Sequence, residues 1–429
     1  MRFFKLTVLL LVFVILAVNL CSCVTLSIDV STTDGTSEIT SDETDTSSES
    51  DVTSEESETS AEEIWNVTYV VFESGSQIVG VRSNSVLMDV EQYRNYKSHH
   101  SKYNTYTYFS TLNDEEKFIY NIFEYAYDNS FSNIYFDEKL LENTEHELQD
   151  ILYMLSLDSP LVEQNVRIMS IPFEKTLKDD DGDAVRTWNG QQVYVSTFFT
   201  NKNENKDQAI KKAEEVIDGM PSNLSDIEKA KYFYKYLGEN VAYKDYKPYV
   251  TRHYLYDALV GGGSNCDGYA NAFSLLCNMA GIKCVEKMRF GKAEGETGHT
   301  WTSICLDGVW YNVDATASDE VKKGCPVWKY FGFSDDMPDY NHEMADFAPD
   351  CKENMIKPSL SFYGTNHYNA ASQIANALKK SEKRYIVVEF AQAFSTDDAI
   401  FQKIANAAGD LTFWYFDFDN KYYCVILLK

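Results

Sequence analysis

Hydrophobic residues recur along this 429-residue chain with two periods, one helical and one extended. Segments with the helical period predict helices, and two of them open with a capping box in which Asn or Ser is followed by Glu. These helices are predicted at about residues 113–126, 145–156, 207–218, 225–237, 270–279, 370–379 and 397–407. Alternating and β-branched runs predict strands. The strands are predicted at about residues 64–72, 167–173, 191–199, 298–306, 309–314, 385–390, 411–416 and 422–428, with one more after Pro358.

The mixed order of these helices and strands predicts an α+β protein. A length of 429 residues is too great for one ordinary hydrophobic core, so more than one domain is predicted. We predict an N-terminal α+β domain over residues 64–205, a central domain over residues 206–352 and a small C-terminal α/β domain over residues 353–429. Residues 1–22 and 23–63 precede them as a signal peptide and a linker.

The first residues are typical of an exported bacterial lipoprotein. Arg2 and Lys5 precede an apolar run, Leu6–Leu20, which has the length of a signal peptide rather than of a membrane-spanning helix. The run ends in a segment that resembles the lipobox, with Ser22 before Cys23. The resemblance implies that Cys23 is lipidated and anchors the protein to the outer face of the cytoplasmic membrane. Cleavage near the same point, giving a free secreted protein, is the alternative.

The net negative charge of the chain and its distribution limit the classes of partner that the protein could bind. Residues 24–63 are rich in Ser, Thr, Asp and Glu and contain no Lys, Arg or aromatic residue, which predicts a disordered acidic tether. The net charge of −28 argues against a nucleic-acid partner, which would need clustered Lys and Arg. Contact with the membrane is therefore expected only through the N-terminal lipid anchor.

Two patterns that would suggest a metal site do not hold. An EF-hand loop aligned on Gly182 within Asp179–Asp183 would place Leu177 and Trp188 where carboxylates are needed, so a solvated turn is predicted. The seven cysteines after Cys23 form no CxxC pair, which argues against a zinc ribbon, and their odd number leaves at least one thiol unpaired. No metal or organic cofactor is expected.

A candidate nucleophile lies where a glycine-rich segment, Gly261–Asn265, leads into the helix of residues 270–279. Cys266 is placed at the start of this helix, where unpaired N–H groups and the helix dipole favour a thiolate and could receive an oxyanion. Cys277, inside the helix, lacks this setting. Taken alone, Cys266 could equally be a buried structural cysteine, so a partner base is needed.

A β-hairpin supplies that base. Asp307–Gly308 is a two-residue type I′ turn signal, so the two strands that flank it should pair in a fixed register. In this register Trp301 lies opposite Asp314, and His299 shares the face of Trp301. The carboxylate of Asp314 is therefore within side-chain reach of the imidazole of His299, where it could fix the tautomer and stabilise the imidazolium.

These motifs resemble those of the transglutaminase-like superfamily, over roughly residues 225–342. The matching segments are Cys266–Ala270, Gly281–Cys284, His299–Trp301 and Trp310–Thr316, with a weaker match over Tyr330–His342. The chain departs from the family pattern at Thr300 and Ala315, where many members have Ala and Pro. Neither change removes a catalytic group.

The resemblance implies a papain-like α+β core, with the nucleophile at a helix N-terminus and its partners on an antiparallel sheet. It implies Cys266 as nucleophile, His299 as general base and acid, Asp314 as the orienting acid, and a thioester acyl-enzyme. Tyr243 lies where related proteins place an aromatic residue, and we consider it either an oxyanion donor or a packing residue. His342 is expected to be structural or to lie at the rim of the site.

The predicted function is thiol-dependent amide chemistry at the cell envelope. Hydrolysis of peptide or cell-wall amides is favoured slightly over transglutaminase-type acyl transfer, because hydrolysis needs only solvent access. The alternative is a catalytically silent surface lipoprotein that uses the same fold for binding or as a scaffold. A complete Cys-His-Asp set argues against that alternative, since a binding protein does not need all three groups.

Overall fold

The computed structural model describes most of the chain from Tyr69 onwards. The described residues are 69–73, 86–89, 94–98, 100–131, 133–162, 168–178, 184–195, 203–244, 254–289, 298–337, 348–363, 370–390, 399–418 and 421–428. The predictions for the signal peptide, Cys23, the tether, the turn at Asp179–Asp183 and His342 lie outside these residues. Within the described residues, no helix has both the length and the apolar character needed to cross a membrane.

A five-stranded antiparallel sheet forms the N-terminal part, with strand order β2-β1-β3-β5-β4. Its strands are β1 (Tyr69–Glu73), β2 (Val86–Asp89), β3 (Asn133–Asp137), β4 (Ile168–Lys178) and β5 (Ala184–Val195). β4 and β5 pair as one long hairpin. The sequence pattern did not predict β2 or β3. For β3, burial explains why the pattern failed. Four of its five residues are buried, so its two faces show no alternation of polar and apolar side chains.

Three helices accompany this sheet, namely α1 (Asp114–Asp128), α2 (Glu138–Leu141) and α3 (Leu148–Asp158). α1 begins at the predicted capping box, in which Asn113 Oδ1 accepts a hydrogen bond from Glu116 N at 2.9 Å and Glu116 Oε2 accepts one from Asn113 N at 3.0 Å. The apolar faces of α1 and α3 pack on the sheet in one core, where the rings of Phe123 and Phe136 meet edge to face.

A second sheet and four helices form the central unit. The helices are α4 (Asn203–Asp218), α5 (Asp226–Asn240), α6 (Tyr254–Leu259) and α7 (Cys266–Met279). Two short parallel strands, β6 (Ala242–Tyr243) and β7 (Gly263–Ser264), flank α6. The antiparallel sheet has the order β11-β10-β9-β8, with β8 (Cys284–Arg289), β9 (His299–Leu306), β10 (Val309–Val313) and β11 (Phe331–Phe333). α7 packs against β8 and β9 and shares a buried core with them.

The turn between β9 and β10 has the predicted type and length. Asp307 and Gly308 both have positive φ, at 51° and 81°, as a type I′ turn requires. Leu306 pairs with Val309, which confirms the predicted two-residue loop and the register that follows from it. A 3-10 helix over Ala315–Lys323 follows β10.

The C-terminal part is a third sheet with order β12-β13-β15-β14 and two helices. Its elements are β12 (Leu360–Phe362), α8 (Ala370–Lys380), β13 (Tyr385–Phe390), α9 (Ala399–Ala408), β14 (Leu411–Phe418) and β15 (Lys421–Leu428). Among the strand pairs described for this sheet, β12 and β13 pair in parallel, and the other two pairs are antiparallel. One face of the sheet packs on both helices, and the other packs against the central sheet around Trp301.

Candidate active site

Cys266 is the first residue of α7, with Asn265 as the N-cap residue in extended conformation. Its side chain is partly exposed, whereas Cys277 in the same helix is fully buried. A sulfur at this position lies against the positive end of the helix dipole, which stabilises a negative charge. The sequence prediction that the two cysteines occupy different settings is thus confirmed.

Gly268 allows the start of α7 to lie close to its neighbours. A Cβ at this position would come within 2.0 Å of Ser264 Oγ and 2.6 Å of the carbonyl oxygen of Tyr254. These atoms belong to β7 and α6, which precede the helix. Glycine two residues after the cysteine is therefore a packing requirement that fixes where Cys266 sits.

His299 and Asp314 lie side by side at the ends of the β9–β10 hairpin. His299 Nε2 is 2.9 Å from Asp314 Oδ2, and the Cys266 side chain is a second hydrogen-bond partner of the imidazole. The imidazole therefore lies between thiol and carboxylate, with its side chain 22% exposed and that of Asp314 only 4% exposed.

The surroundings of His299 favour its charged form. Burial alone lowers the pKa of this imidazole, but hydrogen bonds with Asp314 and Cys266 and the negative charges of both groups raise the pKa from 6.5 to about 10. The imidazole is therefore positively charged at neutral pH, and a positive charge beside the sulfur stabilises negative charge that develops on it.

The indole of Trp301 supports the imidazole. The two rings are stacked with centroids 6.0 Å apart and planes 24° from parallel, and Trp301 is buried. Its Nε1 donates to Asn312 Oδ1 at 3.0 Å, which also accepts from Ser303 Oγ at 2.7 Å. Trp301 thus packs the sheet beneath His299 rather than lining an open groove.

Sequence reasoning did not predict the buried polar cluster that continues from Asn312. The Asn312 amide donates to Asp335 Oδ1 at 2.7 Å, and the same oxygen is 3.0 Å from the buried ammonium of Lys287. Asp335 Oδ2 accepts from the backbone N–H of Cys351 at 2.7 Å. Residues far apart in sequence form this cluster, so neither spacing nor period could have indicated it.

Tyr243 lies on β6, where it pairs with Ser264, and its side chain is 53% exposed. The short strand pair brings Tyr243 close in space to the segment that leads into Cys266. His342 and Cys23 lie outside the described residues.

Within the described part of the chain, no group of three or more His, Cys, Asp or Glu side chains is arranged to hold a metal ion.

Comparison with known proteins identifies the central unit. Residues 211–315 match the profile of the Transglutaminase-like superfamily, and this range contains Cys266, His299 and Asp314. The chain therefore contains a transglutaminase-like domain, on a mixed α+β framework.

Particular relatives are similar over parts of their length. A mouse (Mus musculus) protein named kyphoscoliosis peptidase is 29% identical over 117 residues, covering 24% of this chain and 17% of that protein. The human (Homo sapiens) kyphoscoliosis peptidase is 36% identical over 62 residues, covering 12% of this chain and 9% of that protein. The match thus spans less than a fifth of either relative. The crystal structure of the periplasmic domain of TgpA from Pseudomonas aeruginosa is 14% identical, with a TM-score of 0.22 and coverage of 36% of this chain and 65% of that domain.

Proposed function

We propose that the transglutaminase-like domain catalyses thiol-dependent amide chemistry, with Cys266 as nucleophile, His299 as general acid and base, and Asp314 as the orienting carboxylate. The observation that carries this proposal is the position of the His299 imidazole, between the Cys266 thiol and Asp314 Oδ2. Nucleophile, base and orienting acid in this order are the components that activate a cysteine for attack on a carbonyl carbon.

In the acylation step, the Cys266 thiolate attacks the amide carbon and the carbonyl electrons move to oxygen. The backbone N–H groups at the start of α7 are the candidate donors to this oxyanion. As the tetrahedral intermediate collapses, the C–N bond breaks and the departing nitrogen takes a proton from the His299 imidazolium. A free amine leaves, and the acyl group stays on sulfur as a thioester.

In the second step, neutral His299 removes a proton from water, and the resulting hydroxide attacks the thioester carbon. The C–S bond breaks, the carboxylic acid leaves, and the thiolate–imidazolium pair is restored. Asp314 holds Nε2 throughout, which fixes the ring orientation and stabilises the positive charge each time it returns.

Hydrolysis is the outcome we favour over acyl transfer to an amine. Both Cys266 and His299 are partly exposed, so water has access to the site. Transfer would require an amine to compete with that water. The two mammalian relatives carry the name peptidase, which is consistent with hydrolysis. We propose peptides or cell-wall amides at the bacterial envelope as the substrate class.

Two assays test the proposal. The first is iodoacetamide labelling of Cys266, and the second is cleavage of a mixture of quenched fluorogenic peptides with and without an added primary amine. Cys266 should be alkylated rapidly at mildly acidic pH, and His299→Ala should remove that reactivity. Peptide cleavage should be lost in Cys266→Ser but kept in Cys305→Ser, a matched control because Cys305 is also partly exposed. Slow labelling of Cys266 that does not depend on His299 would support the catalytically silent scaffold instead.

A further inference from the structure

The carboxylate of Asp267 makes contacts that reach beyond its own helix. Asp267 follows Cys266 in the first turn of α7. Its Oδ1 accepts a hydrogen bond from the Thr300 hydroxyl at 2.8 Å and lies 3.9 Å from Cys266 Sγ. Its Oδ2 accepts a hydrogen bond from Asn265 Nδ2 at 2.9 Å. One side chain therefore contacts the candidate nucleophile, the N-cap residue and the strand that carries His299.

Thr300 is the residue that connects Asp267 to β9 of the central sheet. It follows His299 in β9, the strand against which α7 packs. While His299 faces Asp314, Thr300 faces α7 and is buried. Thr302 faces the same way, and its hydroxyl is 3.3 Å from the carbonyl oxygen of Ala270. Two threonine hydroxyls thus hold β9 to the start of α7.

Stabilisation of the helix dipole alone does not account for this arrangement. An acidic residue in the first turn stabilises a helix whether it faces solvent or protein. Facing solvent would give Asp267 that benefit without placing a negative charge beside the sulfur, where it opposes formation of the thiolate. Because Asp267 faces the protein, it gains the hydrogen bond with Thr300, which it would lack if it faced solvent.

We propose that Asp267 is a positioning residue: by accepting the Thr300 hydrogen bond, it keeps the start of α7 at the distance from β9 at which Cys266 and His299 are in contact. This inference rests on the proposed thiol chemistry. It implies two effects of opposite sign, since the hydrogen bond supports the sulfur–imidazole contact and the carboxylate charge disfavours the thiolate.

The imidazole beside the sulfur and its carboxylate partner come from the central sheet. His299 and, behind it, Asp314 belong to the β9–β10 hairpin. Burial of Glu286 in β8, followed by the charge of Asp267, raises the pKa of the Glu286 carboxyl well above the usual range. The Asp267 carboxylate therefore lies against the sulfur from the helix side, and the His299 imidazole lies against it from the sheet side.

The test measures the rate of Cys266 alkylation by iodoacetamide in the full chain, from about pH 4 to about pH 10. The alkylated peptide is identified by mass spectrometry, with Cys305 as the internal reference. The variants are Thr300→Val, Thr300→Ser and Asp267→Asn, and thermal unfolding is followed for each. This probe reports on the sulfur without requiring knowledge of the substrate.

Thr300→Val removes the donor to Asp267, so we expect alkylation of Cys266 at mildly acidic pH to slow by about tenfold. Thr300→Ser retains the hydroxyl and should restore the rate. Asp267→Asn retains an oxygen that can accept from Thr300 and removes the charge. Its rate profile should therefore keep its plateau and shift towards acid.

Two results would overturn the inference while leaving the proposed function intact. One is an unchanged rate profile in both Thr300→Val and Asp267→Asn, with His299→Ala still abolishing the reactivity. The other is a lower unfolding temperature in these variants with no movement of the profile, which would show a structural role only. The proposed function fails separately if Cys266 of the unmodified chain reacts no faster than Cys305 and is indifferent to His299→Ala.

Discussion

The carboxylate of Asp314 divides its two oxygens between His299 and the following 3-10 helix. Oδ2 is 2.9 Å from His299 Nε2, and Oδ1 accepts a hydrogen bond from Thr316 N at 2.9 Å. The backbone N–H of Asp314 donates to the carbonyl of Tyr330 at 2.9 Å. Backbone groups on either side thus hold the carboxylate in place. The Asp314 side chain therefore needs little further ordering to orient the imidazole during the reaction.

Asp314→Asn is predicted to lower peptide cleavage by roughly a thousandfold or more, since the neutral amide can neither stabilise the imidazolium nor enforce the same tautomer. Asn is also a good N-cap residue, so the fold should persist. The measurement is kcat/KM together with a thermal unfolding curve. Asp319→Asn is the matched control, because Asp319 is exposed in the same 3-10 helix. Equal activity in the two variants would contradict the orienting role of Asp314.

His299 is predicted to remain protonated well above neutral pH. Its pKa is raised to about 10 because Asp314 and Cys266 outweigh the effect of burial. A group whose folded-state pKa lies above the unfolded value stabilises the fold fully below the unfolded pKa, about 6.5, and loses that contribution as pH rises through the folded value. The difference in unfolding free energy between the unmodified chain and His299→Gln should therefore shrink as pH rises from about 6.5 towards 10.

An NMR titration of the His299 ring measures the same quantity directly. In Cys266→Ser the contributions of the thiol are removed, so the titration midpoint should fall. A midpoint that stays unchanged in Cys266→Ser would show that the sulfur and the imidazole are not coupled.

The geometry of the hairpin could be predicted from sequence because it depends on local chemistry. Asp307 and Gly308 are residue types that adopt positive φ, so they fix the turn, and the turn fixes the register of β9 against β10. The helix that begins at Cys266 could be predicted for a similar reason, since a glycine-rich segment and an apolar period mark its start.

Contacts between segments that are far apart in sequence could not be predicted from local patterns. Asp335 and Lys287 are joined to Asn312 only by the folded chain, and the link from Asp267 to Thr300 depends on how α7 lies across β9. The extent of the β4–β5 hairpin was also underestimated. Polar residues occupy much of both strands, so the apolar alternation used to predict strands is weak there.

Gly268→Ala is predicted to destabilise the fold by about 1–3 kcal/mol, because the added methyl would overlap Ser264 and the Tyr254 carbonyl and something must shift. The shift occurs at the start of α7, so alkylation of Cys266 should also slow. Gly219→Ala is the matched control, since the nearest atom to a Cβ there is 3.4 Å away. Urea unfolding and labelling rates measure both effects, and similar results for the two glycines would show that Gly268 is not needed for close packing.

Glu124→Gln is predicted to stabilise the protein at neutral and alkaline pH but not in acid. Glu124 is 4% exposed in the N-terminal core, and its burial, followed by the nearby charge of Asp128, raises the pKa of its carboxyl to about 7. The Asn104 amide and the Tyr106 hydroxyl each donate to Oε1 at 3.4 Å, distances too long to offset that burial fully.

The sign follows from the raised pKa of Glu124. The buried carboxyl is protonated more readily in the folded state than in the unfolded one, so its cost is absent below the usual pKa of 4.5 and complete above about 7. Gln removes the ionisation, so the gain should be on the order of 2 kcal/mol above pH 7 and should vanish in acid. Urea unfolding at several pH values measures it, with the exposed Glu142→Gln as control. A gain that does not depend on pH would mean that ionisation of Glu124 is not its source.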